Sequence, residues 1–316
     1  MLTSTDSRPA APRTPRRDAV EPADGAGALA LRPIAPGDED AVARIVHAAF
    51  AGVHDRHGFP RDFPTLDAAR GVVDAFVANP GIWGVVAERD GRLIGSNFLD
   101  ERGPVRGVGP ITVDPAVQAG GVGRRLMQAV IQRGARADGI RLLQDSFNTA
   151  SLALYASLGF EADEPVALMT GRAAARPLAA VDAVRRVTDT DLGAADRLHR
   201  AVHGFSRAAE LRDGLTGGGM RPLAAVRRGR IVAYATTLSH FAFAHAVAET
   251  PADMTALIAG AAPAGEETLS FLLPIRQHEL VRWCLAAGLR VVKPMTYMAM
   301  GAHRRPTGAW IPSVLY

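Results

Sequence analysis

Apolar positions recur at helical spacing in Val42, Ile45, Val46 and Ala49, and again in Val72, Val73, Phe76 and Val77. This predicts a helix starting near Asp38 and a second from Thr65 to about Ala78. Ahead of the first, LALRPI reads as a short strand. After the second, IWGVVAERDGRLIGSNFL holds two β-rich runs around Arg89, Asp90 and Gly91, and Asp-Gly between such runs predicts a hairpin. A strand from Val105 to Val113 leads through QAGGVG into a helix whose apolar side is Val122, Leu126, Met127, Val130 and Ile131. IRLLQDS is the next strand, NTASLALYASLGFE a helix stopped at Gly159, and PVALMTG the last strand of this half. Residues 1–27, rich in proline, alanine and charge, carry no periodicity. They read as a disordered tail, because such a segment buries too little apolar surface to offset its ordering entropy.

The pattern then repeats. LRPIAPGDEDAVARIVHAA from Leu31 matches VRRVTDTDLGAADRLHRAV from Val184, aligning Arg32 with Arg185 and Asp38 with Asp191. AERDGRLIG from Ala87 matches AVRRGRIVA from Ala225, and Gly159 matches Gly288. The expected organisation is a catalytic domain over 28–171, a joint at 172–180, a degenerate copy over 181–301, and a tail over 302–316 whose Trp310, Ile311 and Tyr316 dock on the body. The fold class is α/β in the α+β sense: in each half a mixed, mostly antiparallel twisted sheet flanked by helices.

Charge and cysteine content narrow the function. The sequence pI is near 9.8, yet the excess is only 36 basic over 32 acidic residues, and Lys293 is the only lysine. The arginines are scattered among acidic residues without forming a stripe, so no nucleic-acid partner is expected. A single cysteine, Cys284, rules out an internal disulfide framework and fits a cytoplasmic protein. No apolar run approaches the ~18 residues of a membrane span, so no membrane partner is expected either. Cys284 itself is read as a core thiol.

The chemistry gathers at Gly120, Gly121 and Gly123, between a strand and a helix. Clustered glycines let consecutive backbone N–H groups face one point, and the helix that follows adds about half a positive charge at its N-terminus, which makes an anion cradle. Arg124 and Arg125 stand in the first turn, where the helix dipole disfavours cations unless a ligand anion compensates them. A P-loop would need Gly-Lys-Ser/Thr, and a dinucleotide fingerprint would follow the first strand of a parallel unit; neither context is present. Pro110, mid-strand in VGPITV, removes a ladder donor and leaves the backbone of Ile111, Thr112 and Val113 free to bond a ligand.

QAGGVG resembles the Gln/Arg-x-x-Gly-x-Gly/Ala pattern of the GNAT superfamily of N-acetyltransferases, and NTASLALYASLGF resembles that family's later Asn, Tyr and Gly-Phe motif. The likeness spans about 28–171 well, and the remainder as a weaker copy. It implies acetyl-CoA as acyl donor, with its pyrophosphate on Gln118, Ala119, Gly120, Gly121, Val122, Gly123 and Arg124. Its pantetheine arm would lie along Ile111, Thr112 and Val113 and against Asn148, Ser151 and Tyr155. No metal is expected.

Acyl transfer to an amine needs a neutral amine, a stabilised oxyanion and a proton for the departing thiolate. Tyr155 is the candidate proton donor, and a backbone N–H near Val113 the oxyanion donor. Many family members carry a carboxylate on the strand before the glycine loop, and Val105 to Val113 has none. The base is therefore left open among Asp145, Asp100, Glu101, His54 and His57, with Asp145 the choice for catalysis. HDRHGFPRDF, His54 to Phe63, is expected to be a substrate-facing loop, with His54, His57 and Asp100 toward the acceptor. The second copy has no clustered glycines at the matching point, and Cys284 stands where Tyr155 should be, so no acyl-CoA is expected there. The expected function is acetyl-CoA-dependent acetylation of a small-molecule amine by a monomer or homodimer. The alternatives are a non-catalytic acyl-CoA sensor or a transferase using another acyl donor.

Overall fold

The computed structural model describes residues 28–117, 120–173, 180–217, 220–265 and 268–316. The 1–27 tail, Gln118, Ala119 and most of the 172–180 joint lie outside them.

The first half runs β1 (Ala30–Pro33), α1 (Glu39–His57), α2 (Leu66–Ala78), β2 (Ile82–Arg89), β3 (Arg92–Asp100), β4 (Val105–Val108), β5 (Thr112–Val113), α3 (Val122–Arg133), β6 (Gly139–Asp145), α4 (Thr149–Ser157) and β7 (Glu161–Gly171). The second runs β8 (Ala183–Arg186), α5 (Leu192–His203), α6 (Ala208–Thr216), β9 (Leu223–Arg227), β10 (Arg230–Ala235), β11 (Ala246–Ala248), α7 (Pro251–Ala261), β12 (Leu269–Pro274), α8 (His278–Ala286), β13 (Arg290–Gly301) and β14 (Ala309–Ile311).

The repeat is visible in the chemistry of the joints. Arg32 pairs with Asp38 at 2.7 Å before α1, and Arg185 pairs with Asp191 at 2.7 Å before α5. The two hairpins turn alike: Asp90 and Gly91 have φ of 51° and 73°, Arg228 and Gly229 of 51° and 72°. That left-handed pair is what a two-residue turn between twisted strands requires. Gly159 and Gly288 follow α4 and α8 with φ of 98° and 101°.

The halves are not separate bodies. Among the described residues the first sheet runs β1-β2-β3-β4-β6-β13-β7-β12, with β5 also on β3, and the second runs β14-β11-β10-β9-β8. β13, from the second half, is antiparallel to both β6 and β7 and lies between them. The joint expected at 172–180 therefore does not divide the sheet. Met295, Tyr297, Met298 and Ala299 are all buried, so this stretch of β13 is covered on both faces. A shared core joins Leu143, Val166 and Leu168 of the first half to Leu198, Tyr234 and Trp310 of the second.

α3 is anchored by Leu126, Met127 and Val130, which have no exposed surface, against β3 and β6. Burial of such side chains contributes about 1.5–3 kcal/mol each, which fixes the helix start that faces the site. No helix among the described residues is long and apolar enough to cross a membrane.

Candidate active site

The site begins where two strands part. β4 pairs with β6 in parallel up to Val108 opposite Leu142. Gly109, with φ of 136°, and Pro110 then break the strand, and β5 pairs only with β3, through Gly95 opposite Val113 and Ser96 opposite Thr112. The opening between β5 and β6 is a cavity of about 280 Å³. Ile111, Thr112 and Val113 form one wall and Asn148, Ser151 and Tyr155 of α4 the other, with Gly123 at one end and Asp145 within. Phe50, Val53 and Arg56 of α1 also line it, a contribution the sequence reading missed. A smaller cavity of about 100 Å³ shares Phe50, Ile111, Asp145 and Tyr155 and reaches Asp62, with Phe241, Met295 and Val314 supplied by the second half.

At the glycine end, α3 starts after Gly121, whose φ is 69°, with no side-chain cap and no acidic residue in its first turn. Among the described residues no side chain caps its leading N–H groups, which together with the helix dipole suit an external anion. A Cβ at Gly120 would lie 3.3 Å from the Arg89 guanidinium, so a cation borders the loop; Arg89 was not singled out from sequence. Arg124 is held by Ser157, its Nη2 donating to Oγ at 2.7 Å.

On α4, Asn148 is the N-cap, its Oδ1 accepting the Ser151 N–H at 3.3 Å, while Ser151 Oγ donates to Gln144 Oε1 at 2.8 Å. These bonds orient the helix over the cavity. Burial, and then the charge of Asp145, hold the Tyr155 phenol well above its usual pKa, so it stays protonated.

Behind Asp145 lies a buried cluster that sequence reasoning did not assemble. Lys293 Nζ is 2.5 Å from Asp145 Oδ1, 2.7 Å from Asp62 Oδ2 and 3.2 Å from His54 Nε2. His54 Nδ1 donates to the Phe50 carbonyl at 2.8 Å, which turns Nε2 toward both carboxylates. Burial works against charge throughout. At His54 it would lower the pKa, but Asp62 more than offsets it and the net shift is upward. At Asp62 the His54 and Lys293 contacts outweigh burial and the pKa falls below the usual range. At Asp145 burial dominates, the charge of Asp62 adds to it, and the pKa is raised despite Lys293. His54, Asp62 and Asp145 present atoms within 4.8 Å of one another, a spacing that suits a metal ion, but the Lys293 ammonium stands among them.

Two expected site residues lie elsewhere. His57 is exposed at the end of α1 and lines neither cavity. Asp100 is bound by Arg102 at 2.6 Å, near Glu210 and Asp213, where the halves meet. The loop expected from His54 starts later, because α1 continues to His57 and is closed by Gly58 with φ of 72°. Of HDRHGFPRDF, Asp62 reaches the smaller cavity.

The matching cleft of the second half is filled from within. α7 is capped by Thr250, and Asp253 in its first turn is fully buried, accepting from Arg227 Nη1 at 2.5 Å. The tail strand β14 pairs with β11, where the first half has its opening. Gln277, at the position of Asn148, donates from Nε2 to the Trp310 carbonyl at 2.7 Å and accepts the Trp310 N–H at 3.0 Å. Trp310, Ile311 and Tyr316 are buried. Burial also pushes the Cys284 thiol up to about 12, so it is not a thiolate at neutral pH.

Comparison with known proteins bears on the family. The family model described as acetyltransferase (GNAT) matches residues 42–160. The chain is 32% identical over 169 residues to phosphinothricin N-acetyltransferase of Alcaligenes faecalis, covering 50% of this chain and 82% of that protein. The chain belongs to the GNAT family of acetyltransferases. It is also 33% identical over 150 residues to mycothiol acetyltransferase of Amycolatopsis mediterranei, but the match covers 43% of this chain and about half, 47%, of that relative. Among solved structures, a putative acetyltransferase of Pyrococcus horikoshii superposes with a TM-score of 0.70 at 17% identity, over 91% of this chain and 94% of that one. A tandem GNAT protein from the clavulanic acid biosynthesis pathway gives 0.54 at 15% identity, over 86% and 98%. At these identities the structures speak for the fold, and the fold is a tandem GNAT.

Proposed function

We propose that this GNAT protein transfers an acetyl group from acetyl-CoA to the amine of a small molecule, at one site in its first half. The observation that carries the reading is the uncapped N-terminus of α3 opening onto the gap between β5 and β6. The diphosphate of the donor fits the N–H groups after Gly120, with Arg89 beside them. The pantetheine arm fits along Ile111, Thr112 and Val113 as an added strand, with Asn148 and Ser151 opposite. One relative is named a phosphinothricin N-acetyltransferase and the other a mycothiol acetyltransferase, which supports this acceptor class.

Asp145 is the proton acceptor. Its raised pKa brings it closer to working pH, where a base is most effective, and it faces both cavities. As the amine attacks the thioester carbon, its proton passes to Asp145 and the carbon–sulfur bond then breaks. Burial and then the Asp145 charge hold the Tyr155 phenol up; neutralising Asp145 removes that charge, so Tyr155 becomes a stronger acid as the thiolate leaves. The acceptor enters beside Asp62, Phe241, Met295 and Val314, apolar walls with a carboxylate at the end.

Gly123→Glu is the direct test. A Cβ at Gly123 would meet Leu154 at 3.6 Å and Val113 at 3.7 Å, ordinary contacts, so the fold should hold while the carboxylate repels the donor. Gly121 is the poorer choice, since its φ of 69° strains any side chain. Acetyl-CoA affinity is expected to fall by about a hundredfold or more, and thiol release with a panel of primary amines to fall with it. Unchanged affinity would contradict the reading, and binding without thiol release by the wild type would favour a sensor.

A further inference from the structure

Lys293 is the only lysine of the chain and is fully buried. A buried ammonium is costly unless its charge is met, and here two carboxylates and an imidazole meet it. It lines neither cavity, so it acts on the site only through its partners. It arrives on β13 from the second half, at a break in register with β7 between Val291 and Lys293, the kind of irregularity that re-aims a side chain. The groups facing Asp145 are Lys293 from β13, Asp62 from the segment after α1, His54 from α1 and Tyr155 from α4.

We propose that Lys293 is a positioning residue through which the second half completes the acyl-transfer site, its ammonium clamping Asp62 and Asp145 so that Asp145 meets the acceptor as an oriented carboxylate. The proposal rests on Asp145 being the proton acceptor of the function above. Without the ammonium, two carboxylates would share one small buried space with a single imidazole, and one of them would hold a proton at neutral pH. The half that lacks the means to bind donor thereby controls the base of the half that has it.

The test uses full-length, untagged protein as wild type, Lys293→Met and the charge-compensated Asp62→Asn/Lys293→Met. Thiol release from acetyl-CoA with primary amines is followed from about pH 5.5 to 9.5. In Lys293→Met the acid limb of kcat/KM is expected to move up by about one pH unit or more. The double variant, which also loses the facing negative charge, should move it back toward wild type. An unmoved limb in Lys293→Met would overturn the clamp. A second readout needs neither turnover nor a stable variant at Lys293. Protein grown with lysine carrying carbon-13 at Cε gives one lysine resonance, expected to shift as Asp145 and its partners titrate and to lose part of that response in Asp145→Asn. A resonance that titrates like free lysine, near pH ~10.4, and ignores Asp145→Asn would also overturn the clamp. The lysine readout separates the two claims. Failure of wild type to bind acetyl-CoA with the resonance coupled to Asp145 sinks the function alone, while an uncoupled resonance in an active protein sinks the clamp alone.

Discussion

The two clefts of this protein descend from one pattern and end in opposite states. In the first half the helix after the opening starts at a glycine with no side-chain cap, and in the second it starts at Thr250 with Asp253 buried beside it. In the first the gap between strands is a cavity of about 280 Å³, and in the second β14 pairs into the corresponding place and Gln277 bonds its backbone. Asn148 and Gln277 hold the same position, one lining a cavity and the other tied to Trp310. The difference teaches that a fold does not bind a donor by its topology alone; unsatisfied backbone groups must be left facing outward.

The comparison can be broken most severely at the tail. Removing residues 309–316 takes away Trp310 and Ile311, both buried, and Tyr316, and is expected to cost upwards of about 5 kcal/mol. Calorimetric melting would register this, and the emptied second cleft should still not bind acetyl-CoA, because Asp253 remains at its phosphate end. A melting temperature equal to wild type would contradict the docking. Next comes Asp145→Asn, expected to lower kcat by about 10²–10⁴ with acetyl-CoA affinity within about threefold of wild type. Steady-state kinetics beside direct binding would check it, and an unaltered kcat would remove Asp145 from the mechanism.

A smaller effect separates the histidines of the two halves. His54, beside Asp62, has its pKa raised, while His199 is depressed to about 3, first by burial and then by nearby arginines. The unfolded chain takes up a proton at His199 near pH ~6.5 and the folded one does not until about 3, so this contribution is present above the first value and lost as pH falls between the two. Relative to His199→Gln, wild type should lose about 2 kcal/mol between pH ~6.5 and ~5 in denaturant titrations. A pH-independent difference would refute the depression. The smallest effect is Thr250→Ala, which removes the cap of α7 and should cost about 1 kcal/mol by the same method.

Much of this was legible in the sequence because it is local. The Arg-to-Asp spacing before both first helices, the glycine hairpin turns, the break at Pro110 and the spacing of Asn148, Ser151 and Tyr155 all act within a few residues. What escaped is long-range. Nothing in the periodicity of Arg290–Gly301 tells which strands it will lie between, because a strand apolar on both faces fits any central slot. With β13 unassigned, Lys293 could not be brought to Asp145, although its being the sole lysine was in plain sight. His54 reads as loop in the sequence because the helix that carries it stays polar and charged past it, and only Gly58 ends it. Asp100 looks available in the sequence because the Arg102 that holds it is fixed in turn by Asp213, more than a hundred residues away.

The central claim is that one cleft holds donor and the other cannot. Isothermal titration of the full chain with acetyl-CoA tests it most directly. The expected result is one molecule bound per chain, abolished by Gly123→Glu and untouched by Thr250→Ala. Two molecules per chain, or binding that survives Gly123→Glu in a folded protein, would contradict it.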